Sequence, residues 1–207
     1  MDPAAALTSF VTLFLVIDPI GMAPIFVALT HGMDTARRRA IALRACAIAF
    51  GVLTVFGLFG NAVLDGLGIS LSAFRIAGGL MLFLIAVDML FERRTERREG
   101  RTGDPDHDPS VFPLATPLIA GPGAMAAMIL LNAGGGWAAA ALHELVMGAV
   151  LGVVLALFLV APVIERVLGR TGILVVTRLL GMLLAALAVQ FVLDGLAALG
   201  VLGAAAA

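Results

Sequence analysis

The chain has 207 residues, 61% of them hydrophobic, with a mean hydropathy of +1.10 and a net charge of −1. Only 13% are charged, about half the share of an average soluble domain. That excludes an ordinary water-soluble domain and a basic surface for nucleic acid, and it leaves a polytopic membrane protein in contact with a lipid bilayer.

Six apolar stretches approach the ~20 residues that one helical span needs. They run over about 4–30, 40–64, 71–90, 111–131, 145–164 and 173–193. The reading is an all-α membrane protein of six transmembrane helices in one domain. The first three-helix unit covers 1–90, a flexible linker 91–110 and the second unit 111–207. The linker mixes Glu-Arg pairs with Asp-Pro-Asp-His-Asp-Pro and reads as hydrated chain. Asp2 precedes the first stretch without a basic segment, so that stretch reads as a retained span and not as a cleaved signal peptide.

All 13 positive residues are arginine, and 12 of them lie in or beside the links after spans one, three and five. By the positive-inside rule those links face the cytoplasm and both termini face out, periplasmic or extracellular. Arg75, inside span three, is the exception.

Two spans are interrupted where they should be most apolar. Ile17-Asp18-Pro19-Ile20-Gly21-Met22-Ala23-Pro24 breaks the first, and Thr116-Pro117-Leu118-Ile119-Ala120-Gly121-Pro122-Gly123 breaks the fourth. Pro19 and Pro122 stand 103 positions apart, as do Arg75 and Arg178, and Gly78 and Gly181. Three spans, a linker and three more spans place the second half upside down relative to the first. This predicts two inverted-topology repeats whose broken helices, one and four, meet near the bilayer midplane. Proline removes a donor and obstructs the preceding turn, so such a break belongs where it lines a cavity or is shielded by protein. Asp18 reads as the N-cap of a new half-helix with Pro19 at its first position. Gly121-Pro122-Gly123 reads the same way without a side-chain cap. The plainer reading is two kinked helices with no ligand.

The difference between the breaks suggests chemistry. Asp18 offers an acceptor, while the bare Gly121 side offers backbone donors at a positive helix end. An α-amino acid fits, its ammonium toward Asp18 and its carboxylate toward Gly121 and Gly123. Asp18, Pro19, Gly21, Thr116, Gly121, Pro122 and Gly123 are the candidate substrate-binding residues. Ile20 and Ile119 alongside favour a small side chain. Asp18 could equally hold a proton or sodium ion, or serve only as a cap. Arg75, Arg178 and Gln190 are candidate pathway or structural residues; the arginines have Asp65 and Glu165 as expected partners, and Gln190 is expected to be buried in span six.

No metal site or cofactor is expected. His31, His107 and His143 fit no metal spacing, and the lone Cys46 can form no intramolecular disulfide. The chain has no phosphate-binding Gly-Lys loop, no zinc-protease motif and no nucleophile elbow, so neither ATP-driven transport nor an enzyme is expected.

The quoted residues resemble the MarC family. The matching pieces are Asp18-Pro19-Ile20-Gly21 with Pro24 and Phe26, Phe74-Arg75-Ile76-Ala77-Gly78-Gly79 with Asp88-Met89, Pro113-Leu114-Ala115 with Pro117-Leu118, Ala120-Gly121-Pro122-Gly123-Ala124, and Thr177-Arg178 with Ala188 to Gly195. The resemblance covers nearly all of the chain outside the linker and tail. It departs at Met22, where the family often has Asn, and at Thr116. It implies a six-span protein of the bacterial inner membrane and, through characterised relatives, transport of small neutral amino acids such as glycine or alanine. A secondary transporter coupled to H⁺ or Na⁺ is the resulting expectation, as a monomer or homo-oligomer. A permease for another small solute, or a non-transporting assembly protein, is the alternative.

Overall fold

The computed structural model of the chain describes residues 3–91, 108–133 and 135–201, apart from the side chains of Pro3, Glu165 and Arg170. The linker therefore lies almost wholly outside the described residues. Of its last positions, Asp108 pairs with Arg44 at a largely exposed site, and Ser110 is fully buried at the start of a helix.

Among the described residues every regular element is helical. They are α1 (Pro3–Ile17), α2 (Pro19–Leu29), α3 (Thr35–Gly66), α4 (Leu71–Leu90), the wide-turned α5 (Ser110–Ile119), α6 (Pro122–Asn132) and α7 (Trp137–Ala198). Gly169, at φ 61°, breaks α7 into two arms, α7a (Trp137–Ile164) and α7b (Thr171–Ala198). Five helical stretches are long and apolar enough to cross a membrane, six if α5 and α6 count as one bent span.

Span edges shift from expectation where polar residues find partners. Asp34 caps α3 by accepting from the Arg37 N–H at 2.8 Å, so that helix starts at Thr35, ahead of the expected residue 40. The fifth span starts at Trp137 and not near residue 145, because His143 and Glu144 turn inward to polar partners. The fourth span departs most. Phe112 and Thr116 both have extended backbone, each before a cis proline (Pro113 and Pro117), which fits the steric bias of pre-proline residues away from the helical region.

The layers explain how a membrane protein tolerates these interruptions. The broken elements occupy the interior. Along α6, Gly123, Ala124, the run Ala126 to Leu130 and Asn132 are all buried, and a helix buried on every side belongs inside a bundle. Leu13 to Ile17 with Met22, Ala23, Ile25 and Phe26 complete that core, Phe14 excepted. The continuous helices α3, α4, α7a and α7b lie outside, with apolar side chains such as Phe59, Leu84, Leu145 and Leu183 facing outward. Most of the irregular backbone is thus screened from hydrocarbon, with Phe112 an exposed exception.

Small residues set the spacing. A Cβ on Gly79 of α4 would stand 2.8 Å from the Ala188 carbonyl oxygen of α7b, and one on Gly195 of α7b 3.0 Å from the Ser72 carbonyl oxygen of α4. The two helices run antiparallel at a separation that only glycine permits, the usual device for packing membrane helices.

Candidate functional site

At the first break Asp18 takes the left-handed conformation, φ 56° and ψ 64°. For a non-glycine residue that costs about 1–2 kcal/mol. Its carboxylate Oδ1 accepts from the Gly21 N–H at 3.1 Å, and Pro19 fills the first helical position. Backbone bonds continue across the break, from Asp18 N–H to Phe14 O at 3.0 Å and from Met22 N–H to Asp18 O at 3.1 Å. α1 and α2 therefore run on as one 26-residue span. Asp18 is 1% exposed and Pro19 is buried, while Gly21 and Ile20 are half-buried. Met22 is fully buried in the core.

The second break differs. α5 and α6 meet at 54°. Gly121 is the N-cap of α6, with no side-chain cap, so the first donors of α6 have no carboxylate on them. A Cβ on Gly121 would stand 2.6 Å from the Pro117 carbonyl oxygen. Gly123 is buried, Gly121 half-buried and Pro122 exposed. Ile119 is fully buried. Thr116 is half-buried and spends its hydroxyl on the Val111 carbonyl at 3.3 Å.

The two breaks adjoin. A Cβ on Gly123 would come within 3.3 Å of Val16 Cγ1, two residues before Asp18, and also within 2.5 Å of Ile85 Cδ1 from α4. α1 thus passes directly against the start of α6.

The three remaining candidates lie elsewhere. Gln190, expected to be buried, is exposed and donates to Asp194 on its own helix at 2.7 Å. Its position on α7b faces away from the bundle, so it neither bonds another helix nor lines the breaks. Arg178 is also exposed, and Arg75 is half-buried. The expected Arg75–Asp65 pair does not form among the described residues. The expected partner of Arg178, Glu165, has its side chain outside them.

A second polar centre went unread in the sequence. Asn132 ends α6 and is 7% exposed; its Oδ1 meets His143 Nδ1 at 2.8 Å. Thr54 donates to Glu144 Oε2 at 2.7 Å, and Asn61 Nδ2 donates to the Asn132 carbonyl at 3.4 Å. Asn132 Nδ2 and Glu144 Oε1 have no hydrogen-bond partner. Both lie near Gly57, 2.8 and 3.0 Å from where its Cβ would be. A cavity of about 190 Å³ touches Gly57, Asn61, Asn132 and Trp137. An unpartnered donor and acceptor around one glycine suit a bridging water or a small polar guest. The residues come from α3, α6 and α7a, and no short motif marks them. The only sequence signal was two polar residues, His143 and Glu144, within an apolar run.

Comparison with known proteins adds the family. Residues 4–199 match the MarC family integral membrane proteins. A UPF0056 membrane protein of Archaeoglobus fulgidus is 41% identical over 194 residues, covering 91% of each chain. The UPF0056 membrane protein YvbG of Bacillus subtilis is 36% identical over 196 residues, covering 90% of this chain and 92% of its own. The UPF0056 membrane protein YhcE of Escherichia coli is 33% identical over 199 residues, covering 90% and 89%. No solved structure matches the chain. With a family match across almost its whole length and relatives of this identity in bacteria and an archaeon, the chain belongs to the MarC family of integral multi-pass membrane proteins.

Proposed function

We propose that this protein is a secondary transporter for small neutral amino acids, glycine or alanine in size, working by alternating access and driven by H⁺ or Na⁺. The observation that carries the reading is Asp18. It is a carboxylate 1% exposed, in a left-handed break inside the bundle, beside a second break whose helix N-terminus has no side-chain cap. Ionisable groups at such depth mark pathways and coupling sites. Each half of the chain has a broken unit followed by two long helices, which supports reading the halves as inverted repeats about a central site. In this reading the substrate ammonium faces Asp18 and its carboxylate faces the donors at Gly121 to Gly123. Residence in the bacterial inner membrane, with the arginine-rich ends inside and the termini outside, completes the proposal.

Uptake into sealed proteoliposomes tests it, with glycine or alanine as solute and with imposed proton or sodium gradients. The informative variant is Asp18→Asn. Asparagine is as good an N-cap as aspartate, so the fold persists while the charge goes. Gradient-driven uptake by the natural chain and its loss in Asp18→Asn are expected. Undiminished uptake in the variant would reduce Asp18 to a cap. Transport of a different solute class would favour a permease on the same scaffold, and no transport of any small solute an assembly role. Gly121→Val is a poor probe, since the Pro117 carbonyl already occupies the space a side chain needs.

A further inference from the structure

The arginine-rich end of the bundle holds a cavity of about 240 Å³ between α2, α3 and α7a. Thr35, Arg38 and Arg39 from the first turns of α3 form its polar wall, and Phe26, Phe158 and Pro162 its apolar wall. The Arg38 guanidinium sits 5.8 Å from the centre of the Phe26 ring. That ring is itself held by Phe158, stacked at 4.4 Å and 5°. Arg38 Nη2 is covered and makes no hydrogen bond. The charge is therefore fixed by an aromatic face and not by a carboxylate. Among the described residues neither Arg38 nor Arg39 has an ion pair or a side-chain hydrogen bond. The nearest acid in sequence, Asp34, is engaged as the α3 cap. On the apolar side the wall continues through exposed Leu159 and Val163 onto the outward face of α7a.

We propose that this cavity binds the headgroup phosphate of an anionic phospholipid, with Arg38 and Arg39 on the phosphate and the glycerol and upper acyl chain along Phe158 and Pro162. Two planar guanidiniums match phosphate geometry, and basic pockets between membrane helices take such headgroups. A free phosphate ion would use only the arginine wall; a neutral lipid would use only the apolar one. The site is independent of the transport reading.

Native mass spectrometry and thermal unfolding of the purified protein in neutral detergent test it, with phosphatidylglycerol, phosphatidylcholine and inorganic phosphate added separately. Phosphatidylglycerol should remain bound and raise Tm, while the other two do neither. Arg38→Gln and Arg39→Gln should each weaken phosphatidylglycerol binding roughly fivefold, and Arg37→Gln, on the same turn but outside the cavity, should not. If removing Arg38 loosens the helix ends, Arg39→Gln alone carries the test. Equal binding by the natural chain and both variants would overturn the proposal. So would an equal response to phosphatidylcholine, or a Tm rise with inorganic phosphate alone, which would mark a free-anion site.

Discussion

The side chain that Gly21 lacks would fall directly on the carboxylate of Asp18. The glycine leaves room for that carboxylate to fold back over the first turn of α2 and meet the Gly21 N–H. Gly21→Ala should therefore act as loss of the cap, costing about 0.5–2 kcal/mol, and Asp18→Ala should cost a similar amount. The two should not add, since either one removes the same contact. Reversible unfolding of both single variants and the double variant in mild detergent measures this. Additive losses would mean that Gly21 and Asp18 act separately.

The glycines between α4 and α7b face backbone as well as side chains, and the nearest atoms to Gly123 are all side chain. Gly79→Ala must move the Ala188 carbonyl or part the helices, at about 1–3 kcal/mol, the usual range for overpacking. Gly123→Ala meets chiefly Ile85 Cδ1, the far end of a side chain that can turn away, and should cost less. Thermal melts of the two variants side by side decide it; a larger loss at Gly123 would contradict the packing described.

The Asn132–His143–Glu144 centre should be stability-bearing as well as polar. Thr54→Val removes the only hydrogen bond described on Glu144 and leaves a carboxylate oxygen short of a donor. The expected loss is about 1–3 kcal/mol. Gly57→Ala should fill the gap between Asn132 Nδ2 and Glu144 Oε1, displacing any water held there. If Glu144 and not Asp18 carries the driving ion, Glu144→Gln will abolish gradient-driven uptake while Asp18→Asn spares it, an outcome read in the same vesicles.

Asp108 gives a dependence on pH outside the spans. Burial alone would raise its carboxyl, but the Ser110 N–H, which donates to it at 3.0 Å, and the Arg44 guanidinium outweigh burial and hold it below its usual value. A depressed carboxyl stabilises above its unfolded pKa, about 3.9, and that contribution disappears as pH falls through the lower folded value. Arg44→Gln should thus make the chain less stable near neutral pH and flatten its loss between neutrality and strong acid. The pair is largely exposed, so the change should be small. A steeper acid loss in Arg44→Gln would reverse the sign argued here.

Orientation is open to direct measurement. His31 lies at the arginine-rich end and Trp137 at the opposite one, and both are exposed. A cysteine replacing His31 should react only from the cytoplasm and one replacing Trp137 only from outside; the reverse pattern would invert the bundle.

What could be read in advance was what neighbouring residues decide. Asp18-Pro19 announces a cap and a helix start because both features act within one turn. Leu71 to Leu90 reads as a helix because this 20-residue stretch, apolar apart from Ser72, Arg75 and Asp88, ends at a charged link. Gln190 could not be placed, because span six is apolar on every face and its pattern does not say which side meets the bundle. The Thr54–Glu144 bond joins residues 90 positions apart, a distance that no local pattern encodes. The apparent match between the breaks was legible only as spacing. The first runs on as one 26-residue span while the second turns by 54°, and Pro113 and Pro117 have Phe10 and Phe14 at the positions 103 earlier.

Trp137 has an optical consequence. It is 86% exposed, at the mouth of the cavity whose wall includes Asn132. It is also the only tryptophan, in a chain with no tyrosine. Emission excited at wavelengths longer than the phenylalanine absorption band therefore originates at this one position. Colour and quenching of that emission report solvent access beside Asn132, so opening or closing at that end can be followed in real time without attaching a dye.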